Sequence, residues 1–386
     1  MKTRPSRLRA GIIGISGYGR IHLQLAREWA DRGELSLAAA VVINPGEEEE
    51  NVRQLKAAGC IVYGSYEDML GAENGKLDLC LIPTGIAWHS RMTLAALRAG
   101  ANVLVEKPLS SSTADVEQMA RVAAGAGRFV AVGFQDIYEP VAQELKRLLV
   151  AGAIGRLRSV RFLGLWPRPG SYYTRNGWAG RLRSGDVPVL DSPLNNAFAH
   201  FVNLGLFFAG SSFAESAEAS QVEAVLWRTN AIESFDSGVV RARSENGVRL
   251  WFGASHACAA TREPEIIIEG EAGRAVWRHE RECVLEVNGR RTLERPLPPT
   301  TETRRSMLRA VVENVRVPGT FVCGPEIAIR HTALIEAAHR CTRILAAPGT
   351  AVLRHLPALA EPVLCMAGIE SRLFLAYDTE SLPAAS

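Results

Sequence analysis

The stretch Ala101–Leu109, ANVLVEKPL, decides the fold. Ala101–Val105 is a short apolar run, rich in β-branched residues, that follows Gly100. That is the pattern of a strand buried on both faces of a parallel sheet. It ends in Glu106-Lys107-Pro108. In an open α/β sheet ligands gather at the carboxyl ends of the strands, which is where Lys107 stands. Lysine is scarce in this chain, where arginine supplies most of the positive charge. An ammonium in that place can donate to a substrate hydroxyl or carbonyl and stabilise developing negative charge. Read from these residues alone, Lys107 is equally a solvated turn residue before a proline.

Working outward, strands and helices alternate on both sides. Arg9–Ser16 predicts a first strand, and Arg20–Asp31 a helix with apolar Ile21, Leu23, Leu25 and Trp29. Between them lies Gly14-Ile15-Ser16-Gly17-Tyr18-Gly19. Strand, glycine turn and helix is the setting of a dinucleotide fingerprint, G-x-G-x-x-G. Gly14 and Gly19 match its first and third positions, and Ser16 stands at the second. Gly17 offers another point of close backbone approach to a pyrophosphate, with helix-terminal N–H groups binding the anion. Leu35–Asn44 predicts the second strand, and Asn44 occupies the end where an NAD-binding chain usually carries an acid for the ribose hydroxyl. Asn44 neither repels nor clamps a 2′-phosphate, so NAD and NADP both stay open. Glu47–Glu50 reads as the solvated first turn of a helix. Strands at Ile61–Tyr63, Leu77–Ile82 and Phe129–Val132, and helices at Ala87–Ala99 and Ser112–Ala126, complete a doubly wound parallel sheet that ends near 134.

After 134 the pattern changes. Val141–Val150 predicts a helix and Leu157–Trp166 a strand. Pro167–Gly185 is a loop holding Tyr172, Tyr173, Arg175, Asn176, Trp178 and Arg181. Ring faces can stack on sugar C–H faces while the polar groups take hydroxyls, so the loop suits a polyhydroxylated ligand. It is equally a folded surface loop that buries its own aromatics. Asp191 ends a strand, and Ser192-Pro193 reads as an N-cap with proline at N1 of a helix running to Phe208. Asn196 and His200, four apart, would share one face of it. Strands and turn-like joins from Ala214 to Arg295 predict an antiparallel sheet. Helices are predicted over Thr303–Val315 and Pro325–Ala346, then a peripheral helix and a loose tail ending LPAAS. The domains are therefore 1–134 and 135–386.

The bulk numbers exclude some classes. A net charge of +3 on 386 residues implies neither nucleic acid nor an anionic membrane as partner. The seven cysteines show no zinc spacing, no metal site is expected, and buried thiols of a reducing compartment are the reading. The N-terminal MKTRPSRLRAGIIGIS fails as a secretory signal because glycines break its apolar run. No window reaches the apolar length of a membrane span. A cytoplasmic protein is expected.

These pieces together resemble the Gfo/Idh/MocA family of NAD(P)-dependent oxidoreductases over nearly the whole chain. The likeness rests on His22 three after Gly19, Thr84 with His89 five later, ANVLVEKPL, VGFQ at 132–135, His200 on a helix after a strand, and Asn246-Gly247. It implies an α/β protein: an N-terminal Rossmann domain and a C-terminal α/β domain with a large open antiparallel sheet, which in the family often forms a homodimer or homotetramer. The implied cofactor, NAD or NADP, would be held by Gly14, Ser16, Gly17, Tyr18, Gly19, Asn44, Thr84, His89, Glu106, Lys107, Pro108 and Gln135. The resemblance further implies a cis Lys107–Pro108 peptide, Lys107 on the reacting hydroxyl and His200 as general base. Substrate hydroxyls would be held by Gln135 and by Tyr173, Arg175, Asn176, Trp178 and Arg181.

One departure bears on mechanism. The family usually places an Asp four residues before the catalytic His, where this chain has Asn196, and Asn cannot take a proton. Anchored instead on the strand end, Asp191 fills the role. Under either register His200 is the group there with a pKa near neutral. The expected activity is hydride transfer between nicotinamide and a sugar, sugar acid or cyclitol. Alternatives are a glycosidase that uses NAD for transient oxidation and a non-catalytic dinucleotide-binding regulator.

Overall fold

The structure is a computed structural model that describes residues 7–385 of the chain. Residues 1–6, among them the basic Lys2 and Arg4, and the final Ser386 lie outside the described residues. The chain divides into two units. The first takes in the described residues up to Ser110, with Ala114–Gly133 and Arg304–Pro325; the second holds Ser111–Thr113, Phe134–Thr303 and 326–385.

The first unit is a six-stranded parallel sheet. Its strands are β1 (Leu8–Ile13), β2 (Leu35–Val41), β3 (Ile61–Tyr63), β4 (Leu79–Ile82), β5 (Asn102–Val105) and β6 (Val130–Val132), in the order β3-β2-β1-β4-β5-β6. The order reverses between β1 and its neighbours, as in doubly wound dinucleotide-binding sheets. Every residue of β4 and β5 is buried, as strands covered on both faces must be. The covering helices are α1 (Gly19–Asp31), α2 (Glu49–Ala57), α3 (Tyr66–Ala72), α4 (Ile86–Arg98) and α5 (Thr113–Ala126). Glu49 and Glu50 occupy the first turn of α2, where the macrodipole favours them. The segment Arg304–Pro325 returns to this unit: Arg305 pairs with Glu28 at 2.8 Å, and Val132 N donates to Cys323 O at 2.8 Å beside the edge strand β6.

The second unit opens with α6 (Pro140–Val150). Glu139 caps it by accepting from Val141 N and Ala142 N, and Pro140 sits in its first turn. A nine-stranded sheet follows. It contains β7 (Leu157–Leu165), β10 (Ala219–Arg228), β11 (Ser237–Ser244), β12 (Arg249–Ser255), β13 (Arg262–Gly270), β14 (Gly273–Arg278), β15 (Glu282–Val287), β16 (Arg290–Pro296) and β17 (Ile344–Ala346). The loop after β7 holds a single turn, α7 (Ser171–Thr174), and a two-residue hairpin, β8 (Arg183–Ser184) with β9 (Val187–Pro188). The large sheet is mixed rather than wholly antiparallel, because β7 inserts between β13 and β12 and runs parallel to β12. β17 likewise runs parallel to β10.

Alternation along β7 sets its two faces. Phe162 packs with Phe198 and Phe201, at 5.7 Å between ring centroids in each case, under α8 (Ala199–Ala209). Leu163 and Leu165 face α11 (Ile369–Thr379) through Met366, Ile369, Leu373 and Tyr377.

Three expectations are corrected. The helix bearing His200 starts at Ala199, not Pro193. Residues 192–198 are turns because short polar side chains compete there for hydrogen bonds. Asn195 Nδ2 donates to Val189 O and Leu190 O, and Asn196 Nδ2 to Asp191 Oδ1. The helix α10 that begins at Pro325 ends at Cys341, after which Ile344–Ala346 pairs with β10 as β17. The C-terminal segment is tied down rather than loose: two buried indoles donate to it, Trp227 Nε1 to Ala385 O and Trp251 Nε1 to Ser381 O. All seven cysteines are free and only Cys341 is exposed. No helix among the described residues is long and apolar enough to cross a membrane.

Candidate functional site

In the first unit the glycine turn closes on itself. Gly14 and Gly17 hold positive φ, +91° and +56°, which side chains rarely adopt. A Cβ on Gly19 would stand 2.6 Å from Gly14 O, so helix and strand approach too closely there for any other residue. No acidic side chain lies in the first turn of α1, and no side chain caps it. This end of the helix is therefore suited to an anionic pyrophosphate. Gly19→Ala should cost about 1–3 kcal/mol of stability through overpacking. It should also weaken NADH binding at least tenfold, read by urea unfolding and nicotinamide fluorescence.

Beyond β2, Asn44 donates to Glu47 at 2.8 Å. The residue that reading the strand end missed is Glu48, which is buried. Arg20 Nε and Nη2 both donate to its Oε1 at 3.1 and 2.8 Å, Asn51 donates at 2.6 Å, and Ser16 also hydrogen-bonds it. Burial raises its pKa, but these donors outweigh burial and hold the carboxyl below its usual range.

At the end of β5 the Lys107–Pro108 peptide is cis. Glu106 is buried, pairs with His22 Nε2 at 2.8 Å, and accepts from Lys107 N at 3.1 Å. Burial alone would raise the Glu106 pKa; His22 and Lys107 bring it below the usual value. A carboxyl lowered in this way stabilises the fold above its unfolded pKa, and that contribution is lost as acid protonates it. His89, also buried, faces Pro108 O through Nδ1 at 2.7 Å and Thr84 O through Nε2 at 3.0 Å. Burial pushes its pKa down while the two carbonyls pull it up, and the ring bridges the turn after β4 and the turn after β5. His22, Thr84, His89, Glu106 and Pro108 thus form one network around the Lys107 backbone.

In the second unit His200 lies in the first turn of α8 with Phe134 edge-on to its ring at 6.0 Å. Its Nδ1 is 3.7 Å from Asp136 Oδ2. Asp136, in the turn Gln135–Tyr138, was not singled out by the sequence reading, and its other oxygen lies 3.9 Å from His279 Nδ1. Gln135 is buried, and its Oε1 has no hydrogen-bond partner.

Asp191 is buried; its Oδ1 accepts from Asn196 and its Oδ2 from Gly180 N at 2.6 Å, which closes the loop. Tyr172 and Tyr173 meet edge-on at 5.2 Å, and the Arg175 guanidinium lies 3.7 Å over Tyr172 and 5.4 Å over Trp178. Burial, with Asp191 adding to it, raises the pKa of both tyrosines. The Tyr173 hydroxyl is buried with no hydrogen-bond partner. Two residues serve the loop itself: Asn176 Oδ1 accepts from Trp178 N and Ala179 N, and Arg181 pairs with Glu233 at 3.2 Å. Sequence reading also missed His256, which stacks on Phe198 at 5.5 Å and whose pKa burial pushes down to about 3.

Two family models match: residues 8–134 fit the NAD-binding Rossmann fold of the GFO_IDH_MocA oxidoreductase family, and 142–276 the GFO/IDH/MocA C-terminal domain. This chain belongs to the Gfo/Idh/MocA family. Among curated members it is 34% identical over 99 residues to a trans-1,2-dihydrobenzene-1,2-diol dehydrogenase of Danio rerio, covering 26% of this chain and 29% of that one. It is 27% identical over 173 residues to an inositol 2-dehydrogenase of Corynebacterium glutamicum, covering 44% and 49%. The match thus spans less than half the length of either relative. The solved structure of an inositol dehydrogenase homolog from Azotobacter vinelandii, complexed with NAD+, superposes with a TM-score of 0.75 at 16% identity. That superposition covers 88% of this chain and 96% of that one. The first unit of this Gfo/Idh/MocA protein is its NAD-binding Rossmann domain, and the glycine geometry above fits that cofactor.

Proposed function

We propose that this chain is an NAD-dependent dehydrogenase acting on a hydroxyl-bearing carbon of a sugar, sugar acid or cyclitol. The observation that carries the reading is the network of His22, Glu106 and His89 that fixes the backbone of Lys107 at the carboxyl end of β5. So many buried partners around one partly exposed lysine are what a preorganised donor requires. NAD held at the glycine turn of Gly14, Gly17 and Gly19 would supply a hydride acceptor for the substrate carbon. Lys107 donates to the substrate oxygen as it becomes a carbonyl, and His200 takes the hydroxyl proton. Tyr172 and Trp178 offer ring faces to the sugar, while Gln135 Oε1 and the Tyr173 hydroxyl offer polar partners to its hydroxyls. Both curated relatives carry the names of dehydrogenases of hydroxylated rings, which supports this class of substrate.

NAD is favoured over NADP. The turn after β2 carries Glu47, Glu48, Glu49 and Glu50, and Arg20 beside it is already paired with Glu48. A 2′-phosphate would meet like charge there. NADH should bind at least tenfold tighter than NADPH in a fluorescence titration, and NAD reduction should appear with at least one member of a panel of cyclitols, aldoses and sugar acids. Failure to bind either nucleotide would sink the reading.

A further inference from the structure

Asp136 is buried and lies between two imidazoles, each facing a different oxygen. The Asn196 side chain, four residues before His200, donates to Asp191 Oδ1, and Asp191 Oδ2 accepts from Gly180 N. A carboxylate beside His200 comes from the turn Gln135–Tyr138, which packs against α8. We infer that Asp136 is a positioning residue for His200: its carboxylate attracts the ring at Nδ1 across an ion-pair distance, which orients Nε2 for exchange of the substrate proton. The inference rests on the reading of His200 as the acid/base group.

The separation of 3.7 Å is an ion-pair distance, at which a buried carboxylate favours the imidazolium form. His279 is the competitor for the same carboxylate. It packs edge-on to Phe201 at 5.0 Å, and its Nε2 lies 4.0 Å from Glu280 Oε1. Burial holds its pKa below the ordinary value, although Glu280 and Glu263 pull it up. Phe134 and Phe201, whose rings also pack against His200, do not titrate.

The test is an NMR titration of the full chain with labelled histidines, the His200 signal being assigned by its loss in His200→Asn. Asp136→Asn should lower the proton affinity of His200 about tenfold, one unit in pKa. It should move the acidic limb of kcat with it, at unchanged KM. Asp136→Glu should restore most of both. A His200 titration unchanged by Asp136→Asn would overturn the inference. So would a wild-type His200 pKa below the ordinary value near 6.5, a measurement that needs no variant. A shifted titration with an unshifted kcat profile would leave the pairing standing and reject His200 as the acid/base group.

Discussion

Lys107→Ala should lower turnover by about 10²–10³-fold, the cost of removing one preorganised donor from a developing oxyanion. NADH affinity and the unfolding midpoint should stay close to wild type. The contrast follows from where the contacts lie. Glu106 and His89 hold this turn through the Lys107 N–H and the Pro108 carbonyl, so truncating the side chain leaves both clamps in place. Lys107→Arg should not rescue activity, because a planar fork does not place its protons where a compact ammonium does. Full turnover in a folded Lys107→Ala protein would reject the mechanism.

The second large effect concerns stability. Lys146 is fully buried in α6, and its ammonium donates to Phe207 O at 2.5 Å, Gly210 O at 2.6 Å and Glu215 O at 3.2 Å. Phe207 and Gly210 lie at the C-terminal end of α8, where the last carbonyls lack the usual intrahelical donors and Phe207 O accepts a capping bond from Gly210 N at 3.1 Å besides the ammonium. Lys146 therefore caps the helix that carries His200, and its charge opposes the negative end of the macrodipole. Lys146→Met should cost about 3–5 kcal/mol, since it takes the charged donor from two buried carbonyls, Phe207 O and Gly210 O, and from the part-buried Glu215 O. The melting temperature should fall by roughly 10 °C. Burial pushes the Lys146 pKa down to about 7, against about 10.4 in an unfolded chain. Between those values the unfolded chain holds more protons, so this group's contribution to stability grows as pH rises. Lys146→Met should flatten that slope. A variant as stable as wild type would show that the three carbonyls find other partners.

Much of the first unit was legible because its signals are local. Apolar runs of strand length, helical periodicity and glycine at the turn follow from backbone sterics within a few residues. The Lys107 site was legible for the same reason, since a strand, its terminal charges and the proline are contiguous. Asp136 was not legible: it lies 64 residues from His200 in sequence, and no periodicity links a turn to the first turn of a distant helix. His279 and Glu48 were missed likewise.

The sequence by itself determined the strands of the Rossmann half and its helices α1, α4 and α5, where the glycine turn falls, and that a lysine follows the strand β5. Only the tertiary structure decided that α8 begins at Ala199, that β7 runs beside β12, that Arg304–Pro325 returns to the first unit and that a carboxylate faces His200. The first group is governed by interactions between near neighbours. The second depends on which buried polar groups find partners across the packed core, a competition that resolves only when the whole chain is folded.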